Sequence, residues 1–242
     1  MSPWERLLSH VRAEPCVVGV VLSGSRGRRL GHANSDWDCY VITDGSIAEA
    51  DLSPDVPADG LDVVILTMDD FISYALPGTP EAWNAYAFAH VDVAVDRLDG
   101  EIARLAAAKE YLGSDISAKV SAGCFDAFIN AVVRSAKCVQ AGDREAAALD
   151  ATEAVAPALD TVFAINGRVR PFNRYLGWEL DNHPLQSAPR GNLIAMLVRM
   201  ANGDVASAAA TFKAVEAIAR DAGLSHVIDG WDASSLRLVH GR

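Results

Sequence analysis

The sequence predicts an α+β chain, a small mixed sheet in residues 1–105 followed by an α-helical bundle in residues 106–242. Three observations carry this. Short apolar runs at 16–22, 37–43 and 61–67 are bounded by turn residues, the pattern of buried strands, and His90–Asp96 alternates like a fourth. From Glu101 onward the composition becomes Ala-rich with helical spacing, and Ala is the best helix former. Gly142-Asp143 and Asn202-Gly203-Asp204 then break those stretches where antiparallel helices would turn.

Taken in order, residues 2–13 read as a helix with Trp4, Leu7, Leu8 and Val11 on one face. Residues 16–22 form the first strand, and 25–31 a turn or short helix carrying Arg26, Arg28 and Arg29. Residues 37–43 are the second strand. Residues 44–60, rich in Asp, Pro, Gly and Ser, mark a loop before the third strand at 61–67. Met68–Leu76 reads as a helix capped by Thr67, where Asp69 and Asp70 suit the first turn. Pro80–Ala89 reads as another helix, with Trp83, Tyr86 and Phe88 in the core. Helices are expected at 101–112, 116–140, 143–165, 190–202 and 204–222.

The chemistry concentrates in Ser23–Asp38. Gly24 lets the backbone come close to a ligand, having no Cβ. Ser25 adds a hydroxyl at a helix start, where free N–H groups favour phosphate. Three arginines beside that point could pair with a triphosphate, with one or two of them touching it. Asp36 and Asp38 are two apart on a strand, so both carboxylates share a face and Trp37 takes the other. Two adjacent carboxylates repel unless a cation lies between them. Oxygen ligands beside substrate phosphates suit Mg²⁺.

Strand, Gly24-Ser25, ten residues, Asp36-Trp37-Asp38, then a second strand: this order resembles the nucleotidyltransferase superfamily that includes DNA polymerase beta and the aminoglycoside nucleotidyltransferases. Trp37 and Cys39 fill that pattern's hydrophobic places, and Arg26–Ser35 is similar to the Arg/Gly-rich spacer of the small-molecule branch. The resemblance implies a nucleotidyltransferase domain over residues 1–105 and a helical substrate-binding domain over 106–242. It implies a third carboxylate on the neighbouring strand, for which Asp62 is the matching position and Asp92 the rival. It further implies a basic, aromatic segment in the helical part. Asn166–Pro184 fits: Arg170, Asn173 and Arg174 for phosphate, Tyr175 or Trp178 for stacking, Glu179 for a cationic substrate or as base.

The implied reaction moves a nucleoside monophosphate from an NTP such as ATP to a hydroxyl of a small cationic molecule, an aminoglycoside for example, by a two-metal mechanism. Gly24, Ser25 and Arg26 would grip the nucleotide, and Asp36, Asp38 and Asp62 the Mg²⁺. The alternatives are transfer to a protein, as antitoxin-like members do, and a non-catalytic nucleotide-binding module.

Composition narrows the partners. The net charge is −11, and residues 1–105 carry 7 Lys and Arg against 17 Asp and Glu. Such a charge repels nucleic acid and favours a cationic small acceptor. The apolar runs are far shorter than a membrane span, and Met1–Arg6 lacks signal-peptide character. Cys16, Cys39, Cys124 and Cys138 have no metal-ligand spacing and read as core residues of a cytoplasmic protein. No feature bears on oligomeric state.

Overall fold

The computed structural model describes residues 1–46, 60–187 and 190–240. Residues 47–59 of the expected loop lie outside the described residues. The chain divides into two compact units, Met1–Tyr111 and Leu112–Arg242.

The first unit is a four-stranded mixed sheet with helices on both faces. β1 (Val17–Leu22) is central, with β2 (Trp37–Thr43) and β4 (Asp92–Asp96) antiparallel on either side of it. β3 (Leu61–Thr67) runs parallel to β2 at the edge, giving the order β3-β2-β1-β4. Period-two alternation sorts the two faces. On one, Val20, Leu22, Cys39 and Val41 pack against α1 (Pro3–Ala13) through Leu7 and Val11. On the other, Val21, Tyr40 and Ile42 pack with Phe71, Phe88 and Ile102.

Local chemistry explains the elements. The α1 helix begins with a capping box, the Ser2 hydroxyl accepting from the Glu5 N–H while the Glu5 carboxylate accepts from Ser2, and Pro3 sits in its first turn. Helix α2 (Gly24–Gly27) is one turn. Thr67 caps α3 (Met68–Ser73) by accepting from the Asp70 N–H, as the sequence suggests. Helix α4 (Glu101–Ala108) buries Ile102 and Leu105 against the sheet. This is why the first unit runs to Tyr111, some residues beyond the expected division at 105.

The short α3 helix ends inside the unit, so its last carbonyls need donors. Asp70 O accepts from the Tyr74 N–H at 2.7 Å and Ser73 O from the Leu76 N–H at 3.2 Å. The Lys109 ammonium, wholly buried, supplies the rest: it donates to Phe71 O and Tyr74 O at 2.7 Å each and lies 3.4 Å from Ile72 O.

Pro80–Phe88 is helical with 3₁₀ geometry. Tyr86 and Phe88 are buried as expected, but Trp83 is not in the core: it is 74% exposed. A 3₁₀ helix has three residues per turn, so Trp83 stands directly one turn beyond Tyr86. The core ends at Tyr86.

The regular elements described in the second unit are helices. Its hub is α5 (Ser114–Ala141), which buries Phe125, Phe128 and Ile129 against Leu159, Val162 and Phe163. This helix is long and apolar enough to cross a membrane by length and composition. Its buried stripe and its charged Asp126, Arg134 and Lys137 are what the central helix of a bundle also requires. Helices α6 (Arg144–Glu153) and α7 (Val155–Ile165) replace the single helix expected at 143–165. Pro157 has no N–H and its ring clashes with the carbonyl four residues back, so the helix restarts at Ala154. Then come α8 (Asn173–Asn182), α9 (Arg190–Ala201), α10 (Val205–Asp221), α11 (Ser225–Asp229) and α12 (Ala233–His240). Both expected breaks hold: Gly142 and Gly203 are left-handed, and Asp143 and Asp204 cap the helices that follow.

Candidate active site

The site forms where β1 ends and β2, β3 and β4 begin, all at one end of the sheet. Ser23 continues the β1–β2 ladder, its N–H donating to Asp38 O at 2.8 Å. The chain must then reverse sharply, and Gly24 does so at φ +62°. A Cβ at Gly24 would lie 1.9 Å from Asp38 Oδ2. Carboxylate and backbone thus share a space that only glycine leaves open. Gly27 is under a similar constraint, since its Cβ would meet Leu22 O at 2.3 Å.

Asp38 and Asp62 are direct partners in the parallel β2–β3 register. Adjacent strands lie roughly 4.8 Å apart, so the two side chains stand side by side on the Tyr40 face. Asp36, exposed, comes one pleat ahead of Asp38. Asp92 pairs with Leu22 and precedes Val93, which packs on the Tyr40 face, so alternation turns Asp92 to the α1 face. Of the two candidates for a third carboxylate, Asp62 therefore shares a face with Asp38 and Asp92 does not.

The two carboxylates act on the same neighbours. Burial first, then the charges of Asp38 and Asp62, push the Cys39 thiol up to about 12. Burial dominates at Tyr40 as well, whose phenol is pushed up to about 12 with smaller contributions from Tyr74, Asp38 and Asp62.

Ser25 is 2% exposed, and its buried hydroxyl oxygen has no hydrogen-bond partner. An unsatisfied buried polar atom costs on the order of 1–3 kcal/mol, and a ligand oxygen at that point would remove the penalty. Oxygen-only donors with this orphaned hydroxyl fit a magnesium–phosphate ligand in kind. Among the described residues, no three His, Cys, Asp or Glu side chains come together as a ready metal cage, so Asp36 does not complete one with Asp38 and Asp62.

The arginines correct the sequence reading. Arg26 does not project as a phosphate ligand. Its Nε donates to Ser35 O at 3.0 Å and Asp36 O at 3.1 Å, and its Nη2 to Ser35 O at 2.6 Å. Its guanidinium lies 3.9 Å from the centre of the Trp37 ring, which in turn stacks on Trp4. Arg26 thus holds the chain entering β2, and with it Asp36 and Asp38. Arg28, nearly buried, donates to Gly24 O at 2.8 Å and Tyr86 O at 2.5 Å. The Ser23 hydroxyl donates to Ala87 O at 2.5 Å. Sequence reasoning missed this fastening of the Gly24 turn onto the 3₁₀ segment. A Gly-rich turn with three arginines and no acidic residue among them was the available signal.

The other six candidates, Arg170, Asn173, Arg174, Tyr175, Trp178 and Glu179, lie in the second unit. Arg170 donates to Asn173 Oδ1 at 2.9 Å and lies 3.6 Å from Asp160, so these two residues bind each other. Arg174 is exposed, with its guanidinium 5.8 Å from the Tyr175 ring. Glu179 is not a base or a substrate anchor: it is 2% exposed and ion-paired with Arg168, which also donates to His183 O at 2.7 Å. A buried carboxylate needs such a partner, and this one uses the charge that the sequence offered to substrate.

A Gly24→Ala variant is expected to lose turnover by at least about a hundredfold, because the new methyl displaces the Asp38 carboxylate and a shift near 1 Å costs about that much. It should also melt several degrees lower, because φ is held at +62°. Assay and melt on the same preparation check both; wild-type turnover would show that Asp38 does not need this space.

No protein-family profile matches the chain, and no curated protein is significantly similar to it. Among solved structures it is similar to a nucleotidyltransferase-like protein from Exiguobacterium sibiricum 255-15, with a TM-score of 0.47 and 10% identity over 94% of this chain and 79% of that one.

Proposed function

We propose that this chain is a Mg²⁺-dependent nucleotidyltransferase that moves a nucleoside monophosphate from an NTP, ATP in the first instance, to a hydroxyl of a small cationic acceptor. One observation carries the reading: the Gly24 turn shares its space with the Asp38 carboxylate, which stands in register with Asp62. A backbone bent to admit a carboxylate, beside an orphaned buried hydroxyl, suits a phosphate chain and its counter-ion better than it suits a structural turn.

Asp38 and Asp62, with Asp36 ahead of them, would hold the Mg²⁺, which when bound neutralises phosphate charge and stabilises the entering and leaving oxygens. The chain's own residues position the rest. The Gly24–Ser25 turn takes the outer phosphates, the Ser25 hydroxyl donating to a phosphate oxygen. Arg26 and Arg28 keep the turn and the β2 entrance fixed, so little reorganisation accompanies the reaction. The acceptor oxygen attacks the α-phosphorus, the bond to the bridging oxygen of the β-phosphate breaks, and pyrophosphate leaves. The acceptor's proton passes to a carboxylate or to solvent. Positioning and charge neutralisation account for most of such catalysis.

The test is transfer of label from α-³²P nucleotides to a panel of aminoglycosides and other small hydroxylated amines, with Mg²⁺ present and with EDTA. Label transfer with pyrophosphate release, both abolished by EDTA, supports the reading. Nucleotide hydrolysis to a free monophosphate, with no adduct formed, would replace it.

The charge of the first 105 residues makes a separate expectation about the acceptor. Its Michaelis constant should rise between low and moderate ionic strength at fixed Mg²⁺ and nucleotide, because salt screens the attraction. A flat Michaelis constant for the true acceptor removes the cationic-acceptor element and leaves the transfer chemistry standing.

A further inference from the structure

Trp83 is an exposed aromatic ring one helical turn from Tyr86, the residue on which Arg28 of the proposed nucleotide-binding turn packs. The placement follows from the 3₁₀ segment Pro80–Phe88. In such a helix side chains three apart eclipse, so Trp83 and Tyr86 form one ridge with about 6 Å of rise between them. The lower step of the ridge is fixed against the site. The Tyr86 ring lies 4.6 Å from the Arg28 guanidinium, and Arg28 also bonds to Tyr86 O and to Gly24 O. The next carbonyl, Ala87 O, accepts from Ser23. The other side of the segment reaches the carboxylate face: Asn84 Nδ2 donates to Tyr40 Oη at 3.0 Å and to Tyr74 Oη at 3.1 Å. Tyr40 shares its strand face with Asp38, one pleat away.

So a single rigid segment contacts both the turn that takes phosphates and the face that carries the carboxylates. Its one large ring that the core does not use is Trp83, 74% exposed. An exposed ring on a segment that contacts both the turn and the carboxylate face, and that is held at several points, is suited to serve as a stacking platform. We propose that Trp83 stacks on the base of the bound nucleotide, an inference that rests on the nucleotidyltransferase reading. Stacking tolerates any base, since each presents a π face, so the platform supplies affinity and leaves base identity to other contacts. The 3₁₀ geometry matters to this, because it sets Trp83 in line with Tyr86, the residue that packs on Arg28.

The experiment compares wild type, Trp83→Ala and Trp83→Phe in Mg²⁺ buffer by calorimetric titration with ATP, GTP, CTP and UTP, and separately with inorganic tripolyphosphate. Thermal melts of the three proteins accompany the titrations. Trp83→Ala is expected to weaken every nucleoside triphosphate by about tenfold or more, Trp83→Phe to retain most of the affinity, and tripolyphosphate to bind all three proteins alike. Unchanged nucleotide affinity in Trp83→Ala overturns the platform and leaves the proposed function intact. A parallel loss for tripolyphosphate, or a lowered melting temperature, assigns Trp83 a structural role instead and also overturns it. Failure of wild type to bind any of the four nucleotides overturns the underlying reading together with the platform.

Discussion

Replacing Asp38 with Asn is expected to abolish nucleotide transfer while the protein stays folded. The substitution keeps shape and removes charge. The amide still fits the space that Gly24 leaves open. It cannot balance a divalent cation, and the repulsion from Asp62 that makes the pair attractive to a cation disappears. Loss of several kcal/mol of metal-based stabilisation corresponds to at least about a hundredfold in rate. Stability should change little or rise slightly, because two neighbouring carboxylates no longer repel. The measurement is Mg²⁺-dependent transfer beside a thermal melt. Near-wild-type turnover in Asp38→Asn would end the assignment, since Gly24, Asp38 and Asp62 form one geometric argument.

The largest effect on stability is expected from Lys109→Met. The methionine keeps the length and apolar stem of the side chain but cannot donate. Phe71 O, Ile72 O and Tyr74 O then lose the ammonium, and at Phe71 the bond lost is a fully buried one. Unsatisfied buried acceptors cost about 1–3 kcal/mol each, and removing the cost of burying a charge offsets part of that, so a net loss of about 3 kcal/mol is expected. Urea unfolding of both proteins measures it. The pH dependence is a second readout. Burial lowers the Lys109 ammonium from its ordinary 10.5 to about 8. Between those values the unfolded chain binds the proton and the folded chain does not, so this lysine makes wild-type stability rise with pH from about 8 towards 10.5. The difference between wild type and Lys109→Met should widen over that window. A constant difference would mean that Lys109 stays charged through it.

How much of this the sequence disclosed depends on the range of the interactions. The strand runs, the Thr67 cap and the Gly142 and Gly203 breaks are local, and local propensity expressed them. Asp62 was set beside Asp38 only by the family resemblance, with Asp92 as rival; the parallel pairing of β2 with β3 is long-range and shows only in the structure. Arg26 was misread because nothing in Arg26-Gly-Arg-Arg tells which guanidinium turns back on its own loop to meet Ser35 and Asp36. Glu179 was misread for a similar reason, its partner Arg168 lying eleven residues earlier across a turn that composition does not specify. Trp83 was placed in the core because large aromatics usually are; it shares the azimuth of buried Tyr86, and where the core stops along that ridge is set by long-range packing. The restart at Ala154 was available from Pro157 alone. Helices α11 and α12 are too short for their periodicity to stand out.

The Arg26 clamp has one more consequence. It joins the two ends of the spacer, the Gly24 turn and Asp36, through its own side chain, so the loop between them is closed at its base. Residues 29–34, all exposed, lie beyond that closure, tied back where the Leu30 N–H donates to Ser25 O and where His32 meets Arg26 and Ser35. Lengthening a loop already closed at its neck costs only a fraction of a kcal/mol for a few residues. The stretch after His32, at Ala33, is therefore the place where an insertion or tag can be carried without moving the carboxylates.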